Sequence, residues 1–279
     1  MTTMNTTAES NDHNDHNDLS PLLSEPFARA WASHVPGLPG RLGERLSGRL
    51  AQSLKAEEGM VTVRRREVQA DALIDGRRSL YRAPQDRPLR PGEPRRVCLI
   101  DLKAGADIEL ESSAGPREFL VMQGEAQVDA ESLSPRDFLL LPDGNAPRLS
   151  SRRGAQVFVR EADASGAVAR TLVRDHEAGW PEFAPGIRRR VLWTASGQAS
   201  MLYHTDPGAS VPLHSHGHDE ECLMVDGELF LDDVLLQRGD YQLAPAGSVH
   251  RITETDTGVI LYAHGDLDLN FHVNDISSR

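Results

Sequence analysis

Four side chains in the last third of the chain have the types and spacing of a transition-metal site. They are His214, His216, Glu220 and His250. In an extended strand His214 and His216 point to the same face about 6.6 Å apart, close enough for two imidazoles to meet at one ion. Glu220 follows a predicted turn at 217–219. His250 lies on a distant strand, just after a predicted turn at 245–247. The spacing predicts that all four converge.

These donor types restrict the ion. Imidazole and carboxylate ligands suit Zn, Fe(II), Mn, Ni or Cu, whereas Mg and Ca prefer oxygen. We expect one divalent transition metal, with Zn or Fe first and Mn or Ni as alternatives. Glu221 lies beside Glu220, and the turn length decides which carboxylate faces the ion; we take Glu220 as the ligand. No catalytic residue beyond the metal ligands is identified, and Cys222 is interpreted as a buried apolar residue.

The chain contains an internal repeat. A shift of 103 residues places Gly105–Arg148 on Gly208–Arg251 without a gap, with 15 identities in 44 positions. The glycines and prolines that set turns are the best-preserved part. The identities include the pairs Gly105/Gly208, Glu118/Glu221, Asp129/Asp232, Pro142/Pro245 and Gly144/Gly247.

The first copy lacks all four candidate ligands. Their positions hold Glu111, Ser113, Arg117 and Pro147. Because the ligands are lost as a set while the turn residues stay, they are expected to work as a set. The sequence therefore predicts a metal in the second copy and none in the first.

Composition excludes several classes. The 279 residues include 30 Lys and Arg against 42 Asp and Glu, a formal charge of −12, which argues against non-specific nucleic-acid binding. Two cysteines, Cys98 and Cys222, exclude a disulfide scaffold or a cysteine-only zinc site. No apolar run approaches the ~20 residues of a membrane helix, and residues 1–18 lack the apolar core of a signal peptide. We expect a soluble cytoplasmic protein with no membrane partner.

Four segments are predicted along the chain. Residues 1–18 are polar and are expected to be a disordered tail. Residues 19–58 are expected to form a helical extension. Short β-rich runs between turn residues then predict two all-β domains, 59–163 without metal and 164–279 with metal.

The helical extension carries a leucine at every fourth position from Leu42 to Leu54. This pattern predicts one amphipathic helix. Its apolar face either packs on the rest of the protein or on a second subunit, as in a homodimer, or it binds a regulatory protein partner.

The second copy resembles the cupin superfamily. The two cupin motifs, G-x5-H-x-H-x3-E-x6-G and G-x5-P-x-G-x2-H, match residues 208–227 and 239–250 at every specified position. The short connector 228–238 and the segment 180–192 are similar to ChrR-type cupins. The resemblance covers about residues 60–272 and implies two jelly-roll barrels, or double-stranded β-helices, in tandem.

The resemblance implies three functional alternatives. A ChrR-like protein senses a small-molecule ligand through its C-terminal cupin and binds a sigma factor through an N-terminal zinc domain. However, residues 1–97 contain no cysteine, so the H-x3-C-x2-C zinc motif of that family is absent. The second alternative is an iron-dependent dioxygenase that acts on a diketone-like or enolisable substrate. The third is a bicupin whose metal is structural.

We expect His214→Ala and His250→Ala to lose bound metal and keep the fold, because the first copy folds with other residues at these positions. Elemental analysis and circular dichroism measure the two effects. Glu111→Ala is the control in the first copy. Loss of metal in this control, or unfolding of either histidine variant, would contradict the assignment.

Overall fold

The computed structural model describes residues 59–70, 76–162, 168–268 and 270–271, and these residues are almost entirely β-structure. They belong to one compact unit, Gln52–Arg279. The one helical turn among them is the 3-10 segment Arg65–Glu67. The predicted tail and helical extension, residues 1–58, lie outside the described residues. Within the described part, no helix is long and apolar enough to cross a membrane.

The first barrel consists of two antiparallel sheets. Its strands are β2 (Arg77–Arg82), β3 (Arg96–Leu102), β4 (Ala106–Glu109), β5 (Arg117–Gly124), β6 (Ala126–Val128), β7 (Glu131–Leu133), β8 (Phe138–Leu141), β9 (Arg148–Ser151), β10 (Ala155–Glu161) and β11 (Thr171–Val173). The strand orders are β11-β8-β5-β10-β3-β2 and β4-β9-β6-β7.

The second barrel repeats this arrangement. Its strands are β1 (Val61–Val63), β12 (Glu182–Ala184), β13 (Ile187–Ala195), β14 (Gln198–Thr205), β15 (Ser210–Val211), β16 (His214–Ser215), β17 (Glu220–Leu231), β18 (Val234–Gln237), β19 (Tyr241–Ala244), β20 (Val249–His250), β21 (Thr253–Glu254), β22 (Val259–Asp266) and β23 (Asn270–Phe271). The main sheet runs β1-β19-β17-β22-β14-β13-β12, with β15, β18 and β21 attached, and a small sheet runs β20-β16-β23. The predicted all-β fold is confirmed.

The repeat is visible in the backbone at the end of β5 and at the matching point of β17. Gly124 and Gly227 have φ of +74° and +77°. A Cβ on either would lie 2.2 Å from the carbonyl oxygen of Gly154 or Gly258. Only glycine fits such a close backbone approach at positive φ, which explains why this position is identical in both copies.

The two barrels exchange their flanking strands. β1 precedes the first barrel in sequence but pairs with β19 of the second barrel. β11 follows the first barrel and pairs with β8 of that barrel. A division at residue 163 therefore separates β1 and β11 from the sheets that they complete. The division into domains 59–163 and 164–279 stays a prediction.

Three clusters of buried side chains form the core of the described chain. One fills the first barrel with 15 residues, among them Phe119 and Val157. A second fills the other barrel with only eight, among them Met224 and Leu261. The third joins the barrels and contains residues of both, such as Phe158 and Tyr262, whose ring centroids are 4.9 Å apart.

A buried ion-pair network crosses this shared core. Arg160, 1% exposed, donates to Glu118 at 2.9 Å and to Glu221 at 2.7 Å. Both carboxylates are fully buried, and they occupy equivalent positions in the two copies. Hydroxyl groups of Ser200 and Tyr262 donate to Glu118 at 2.7 Å. One guanidinium thus forms an ion pair with a carboxylate from each barrel.

The network holds more negative than positive charge. Burial raises the pKa of Glu221 to about 7, against the opposing effect of Arg160 and the bond from the Tyr241 hydroxyl. Burial also lowers the pKa of His264, so this imidazole stays neutral and adds no second cation. Arg160 is therefore the counter-charge on which both carboxylates depend.

Arg160→Met should lower the free energy of unfolding by about 3–5 kcal/mol, because it leaves two buried carboxylates without a cation. Urea denaturation measures the change. Adding Glu118→Gln and Glu221→Gln should recover part of the loss. Arg170→Met is the control, since Arg170 forms an ion pair at an exposed position. Equal losses in the two single variants would contradict the role of Arg160.

The loss should also depend on pH. Without the cation the Glu221 carboxyl group keeps a folded-state pKa above the usual value of 4.5, because burial raises it. The folded variant then binds more protons than the unfolded chain, so its stability falls as pH rises from about 5 to 7. Denaturation at several pH values tests this direction.

Candidate metal centre

Short strands bring the predicted ligands together. His214 on β16 pairs in register with His250 on β20. The backbone carbonyl of His216 accepts from the amide of Gly247 at 2.8 Å, which joins the two ligand-bearing turns. Glu220 is the first residue of β17, directly after the turn at 217–219. The chain therefore presents all four side chains at one end of the second barrel.

The side chains lie within reach of a single ion. Ring centroids are 5.0 Å apart for His214 and His216, 5.1 Å for His216 and His250, and 5.6 Å for His214 and His250. Glu220 Oε2 is 3.2 Å from His216 Nε2 and 3.8 Å from His250 Nε2. Ligand atoms of His214, His216 and Glu220 all lie within 4.8 Å of one another. Glu220 faces the imidazoles, whereas Glu221 faces Arg160.

The donors are buried and incompletely hydrogen-bonded. The three histidines are 1–3% exposed and Glu220 is 8% exposed. Both ring nitrogens of His216 and Nε2 of His250 have no hydrogen-bond partner among the described residues. Buried polar atoms without partners are costly. A cation at the centre would coordinate Nε2 of His216 and Nε2 of His250, so the residues present fit a metal ion.

Outer partners orient two of the imidazoles. The Pro212 carbonyl oxygen lies 2.8 Å from Nδ1 of His214, and Asp232 Oδ2 lies 3.2 Å from Nδ1 of His250. With Nδ1 donating a proton in each case, Nε2 carries the lone pair toward the centre, the arrangement typical of metal-bound histidine. Burial lowers the pKa of His214, which keeps it neutral.

Asp232 is a functional candidate that is visible in the sequence only as a residue shared by the two copies. Its Oδ1 accepts from the Arg251 amide at 2.8 Å, as Asp129 accepts from the Arg148 amide in the first barrel. In the second barrel Oδ2 additionally contacts His250. Burial opposes ionisation of Asp232, but the bonds from His250 and two backbone amides lower its pKa. The pair Asp129/Asp232 was the available signal.

Two further carboxylates fix the turn that precedes Glu220. Asp266 accepts from the Gly217 amide at 2.5 Å. Asp219, fully buried, accepts from the Ala246 amide at 2.9 Å and from Arg90 Nε at 2.7 Å. The turns that carry His216 and precede His250 are therefore locked together. Neither carboxylate was identified from the sequence.

A small cavity of about 60 Å³ adjoins the donors. His214, Glu220 and His250 form part of its wall, and the rest is mainly apolar or carries hydroxyl groups. Burial raises the pKa of Tyr203 to about 12 and that of Cys222 well above its usual value, so both stay neutral. Cys222 also belongs to the apolar core, as its sequence context predicts. The described lining contains no lysine or arginine.

An ion-pair cluster lies at the corresponding end of the first barrel. Arg117, at the position of Glu220, donates to the Glu111 carbonyl oxygen at 2.8 Å and lies 3.4 Å from Glu161. Arg96 lies 3.0 Å from the same Glu161 carboxylate. Guanidinium groups therefore supply the positive charge inside this barrel.

Comparisons with known proteins agree with this fold. Residues 168–268 match the family model described as the ChrR Cupin-like domain. A candidate dioxygenase from Nostoc punctiforme is 12% identical, with a TM-score of 0.57 and coverage of 77% of this chain and 87% of that chain. Oxalate decarboxylase from Lactobacillus farciminis, solved as a formate complex, is 15% identical, with a TM-score of 0.53 and coverage of 75% and 87%.

A third structure is oxalate decarboxylase from Bacillus subtilis, which contains Mn(II) centres. It is 14% identical, with a TM-score of 0.53 and coverage of 77% of this chain and 78% of that chain. At these identities the likeness shows a shared fold. No curated protein matches the chain. Together these findings confirm the resemblance to cupins.

Asp232→Asn should weaken metal affinity by about 10–100-fold, because a neutral amide replaces the negatively charged carboxylate that accepts the His250 Nδ1 proton. Competition against a chromophoric chelator measures the affinity. Asp233→Asn is the matched control, since the neighbouring carboxylate is 62% exposed. An equal loss in both variants would show that Asp232 does not act through His250.

Proposed function

We propose that the second barrel, which matches the ChrR Cupin-like domain over residues 168–268, binds one divalent transition-metal ion and a small, largely apolar ligand beside it. We further propose that it acts as a ChrR-like regulatory or ligand-sensing protein. The observation that carries the proposal is a cavity whose wall includes three of the four converging donors. The family match over residues 168–268 supports the regulatory alternative.

The residues around the cavity define the ligand class. A bound divalent ion would offer a Lewis-acidic position to an oxygen or nitrogen of the ligand. The wall includes the apolar side chains of Phe183, Leu229 and Leu261, which would contact the hydrocarbon part of a ligand. Since no lysine or arginine lines the described cavity, a dianion would find no second cation there. A neutral or singly charged molecule with one coordinating group fits best.

We also propose a regulatory protein partner that binds residues 19–58. Residues 19–58 lie outside the described residues, and their leucine stripe is the surface that we propose for a regulatory protein. Because the first 97 residues contain no cysteine, such binding would rely on apolar contacts and not on a zinc motif. Co-purification with and without residues 1–58 tests this surface, and capture that survives truncation would eliminate it.

An iron-dependent dioxygenase is the second candidate. The same cavity supports it, because an apolar molecule in the cavity would lie directly against His214, Glu220 and His250. The likeness in fold to the Nostoc dioxygenase candidate is compatible with this activity. Apart from the metal donors, the titratable groups of the described lining are Tyr203 and Cys222, and burial keeps both protonated.

Protein purified without added metal should contain about one equivalent of a transition metal, and His216→Ala should contain almost none. His176→Ala is the control, because His176 is 75% exposed in the same half of the chain. Elemental analysis gives both values. Equal metal content in the three proteins would overturn the site.

Oxygen uptake then separates the two functions. Uptake with iron and a β-diketone that stops in His216→Ala would support the dioxygenase. Tightly bound zinc without turnover, together with a ligand-induced rise in melting temperature, would support sensing.

A further inference from the structure

A cleft of about 510 Å³ that includes none of the metal donors is lined by five arginines. It lies where β1 leads into the turn Arg65–Glu67, beside β2 and the end of β18. The arginines are Arg64, Arg65, Arg66, Arg78 and Arg238. Since the chain carries a net charge of −12, this local excess of positive charge is opposite in sign to the whole protein.

The acidic groups of the cleft are already fully engaged. Asp240 accepts from Arg64 at 3.0 Å and from the backbone amides of Arg65 and Gln237 at 2.9 and 3.1 Å. Asp101, at the edge of the cleft, accepts from Arg78 and from the Gln156 amide group. With Glu67 beside Arg66, three carboxylates thus face five guanidinium groups.

Several guanidinium donors remain available. Arg65 lies 3.6 Å from Asp101 at its closest, and its side chain is 39% exposed. Arg66 is 77% exposed and lies 3.8 Å from Glu67, which is 65% exposed. Arg238 donates to neutral oxygens of Val225 and Gln123. The cleft therefore offers donors and positive charge that its own residues do not use.

The first barrel provides an internal comparison. Arg174, directly after β11, donates to the Ser132 carbonyl oxygen and to Asp137. Arg64, directly after β1, donates in the same way to the Leu235 carbonyl oxygen and to Asp240. The two turns are thus structural equivalents, related by the strand exchange.

The charges at these equivalent positions differ. Asp175 follows Arg174 and pairs with Arg136 and Arg190 at 2.6 and 2.8 Å, whereas Arg65 follows Arg64. Glu131 pairs with Arg174 at 2.6 Å, whereas the aligned residue in the second copy is Val234. The first cluster is nearly neutral, and the cleft lacks both compensating carboxylates. Its surplus charge is therefore not required by the turn itself.

From this we infer that the five-arginine cleft is a binding site for a small phosphorylated organic anion. Guanidinium forks match phosphate oxygens with paired hydrogen bonds, and a multiply charged phosphate relieves the repulsion among clustered cations. Val68 and Leu235 give the cleft apolar wall for the organic part. The cleft includes none of the metal-site residues, so the inference is independent of the proposed function.

Calorimetric titration of the full chain with pyrophosphate tests the site. Arg65→Ala/Arg66→Ala should weaken binding at least tenfold. Arg152→Ala/Arg153→Ala is the matched control, because it removes the same charge from two exposed residues outside the cleft, and it should change affinity less than twofold. Succinate should bind at least tenfold more weakly than pyrophosphate.

Three results would overturn the inference. They are no binding by the wild type at millimolar pyrophosphate, equal weakening in both double variants, and equal affinity for succinate. If Arg65→Ala/Arg66→Ala fails to fold by circular dichroism, the exposed single variant Arg66→Ala and Arg238→Gln replace it, and unchanged affinity in both would overturn the site. Metal content, measured in parallel, should be unaffected and separates this result from the metal centre.

Discussion

The bond between Arg160 and Glu221 is the contact on which the geometry of the second barrel depends. Successive residues of a strand point to opposite faces. Because Glu221 is committed to the guanidinium in the shared core, Glu220 must point into the barrel, where it meets the three imidazoles. The packing of the two barrels and the composition of the candidate metal centre are therefore set by the same pair of neighbouring carboxylates.

The sequence predicted the convergence of the four donors because motif spacing reflects turn geometry, and the turns are the most constrained part of the repeat. The sequence left Glu220 and Glu221 as alternatives. Which of two neighbouring side chains faces the barrel interior depends on the residue at which the strand starts. Asp232 was visible only as a repeated residue, because its second oxygen acquires a role only when His250 stands opposite. Such a contact between distant segments has no local signature.

The buried position of Arg160 and the strand exchange could not be predicted from the sequence, for a related reason. The ungapped alignment ends at Arg148 and Arg251, and the second copy has one extra residue after it, because Gly124 pairs with Ala155 whereas the equivalent Gly227 pairs with Val259. In the structure Arg160 pairs opposite Glu118 as His264 pairs opposite Glu221. One scaffold thus supports two interiors: Arg117 and a full apolar core in the first, and histidines beside a cavity in the second.

The exchange of β1 and β11 has a consequence for biosynthesis. Val61 leaves the ribosome about 180 residues before its partner Leu243, an interval on the order of ten seconds or more at usual elongation rates. During that time the first barrel can close as soon as β11 emerges. β1 still lacks its partner strand β19 at that stage. The order of translation therefore favours folding of the first barrel before the second. Until β19 is synthesised, β1 is free to form non-native strand pairs.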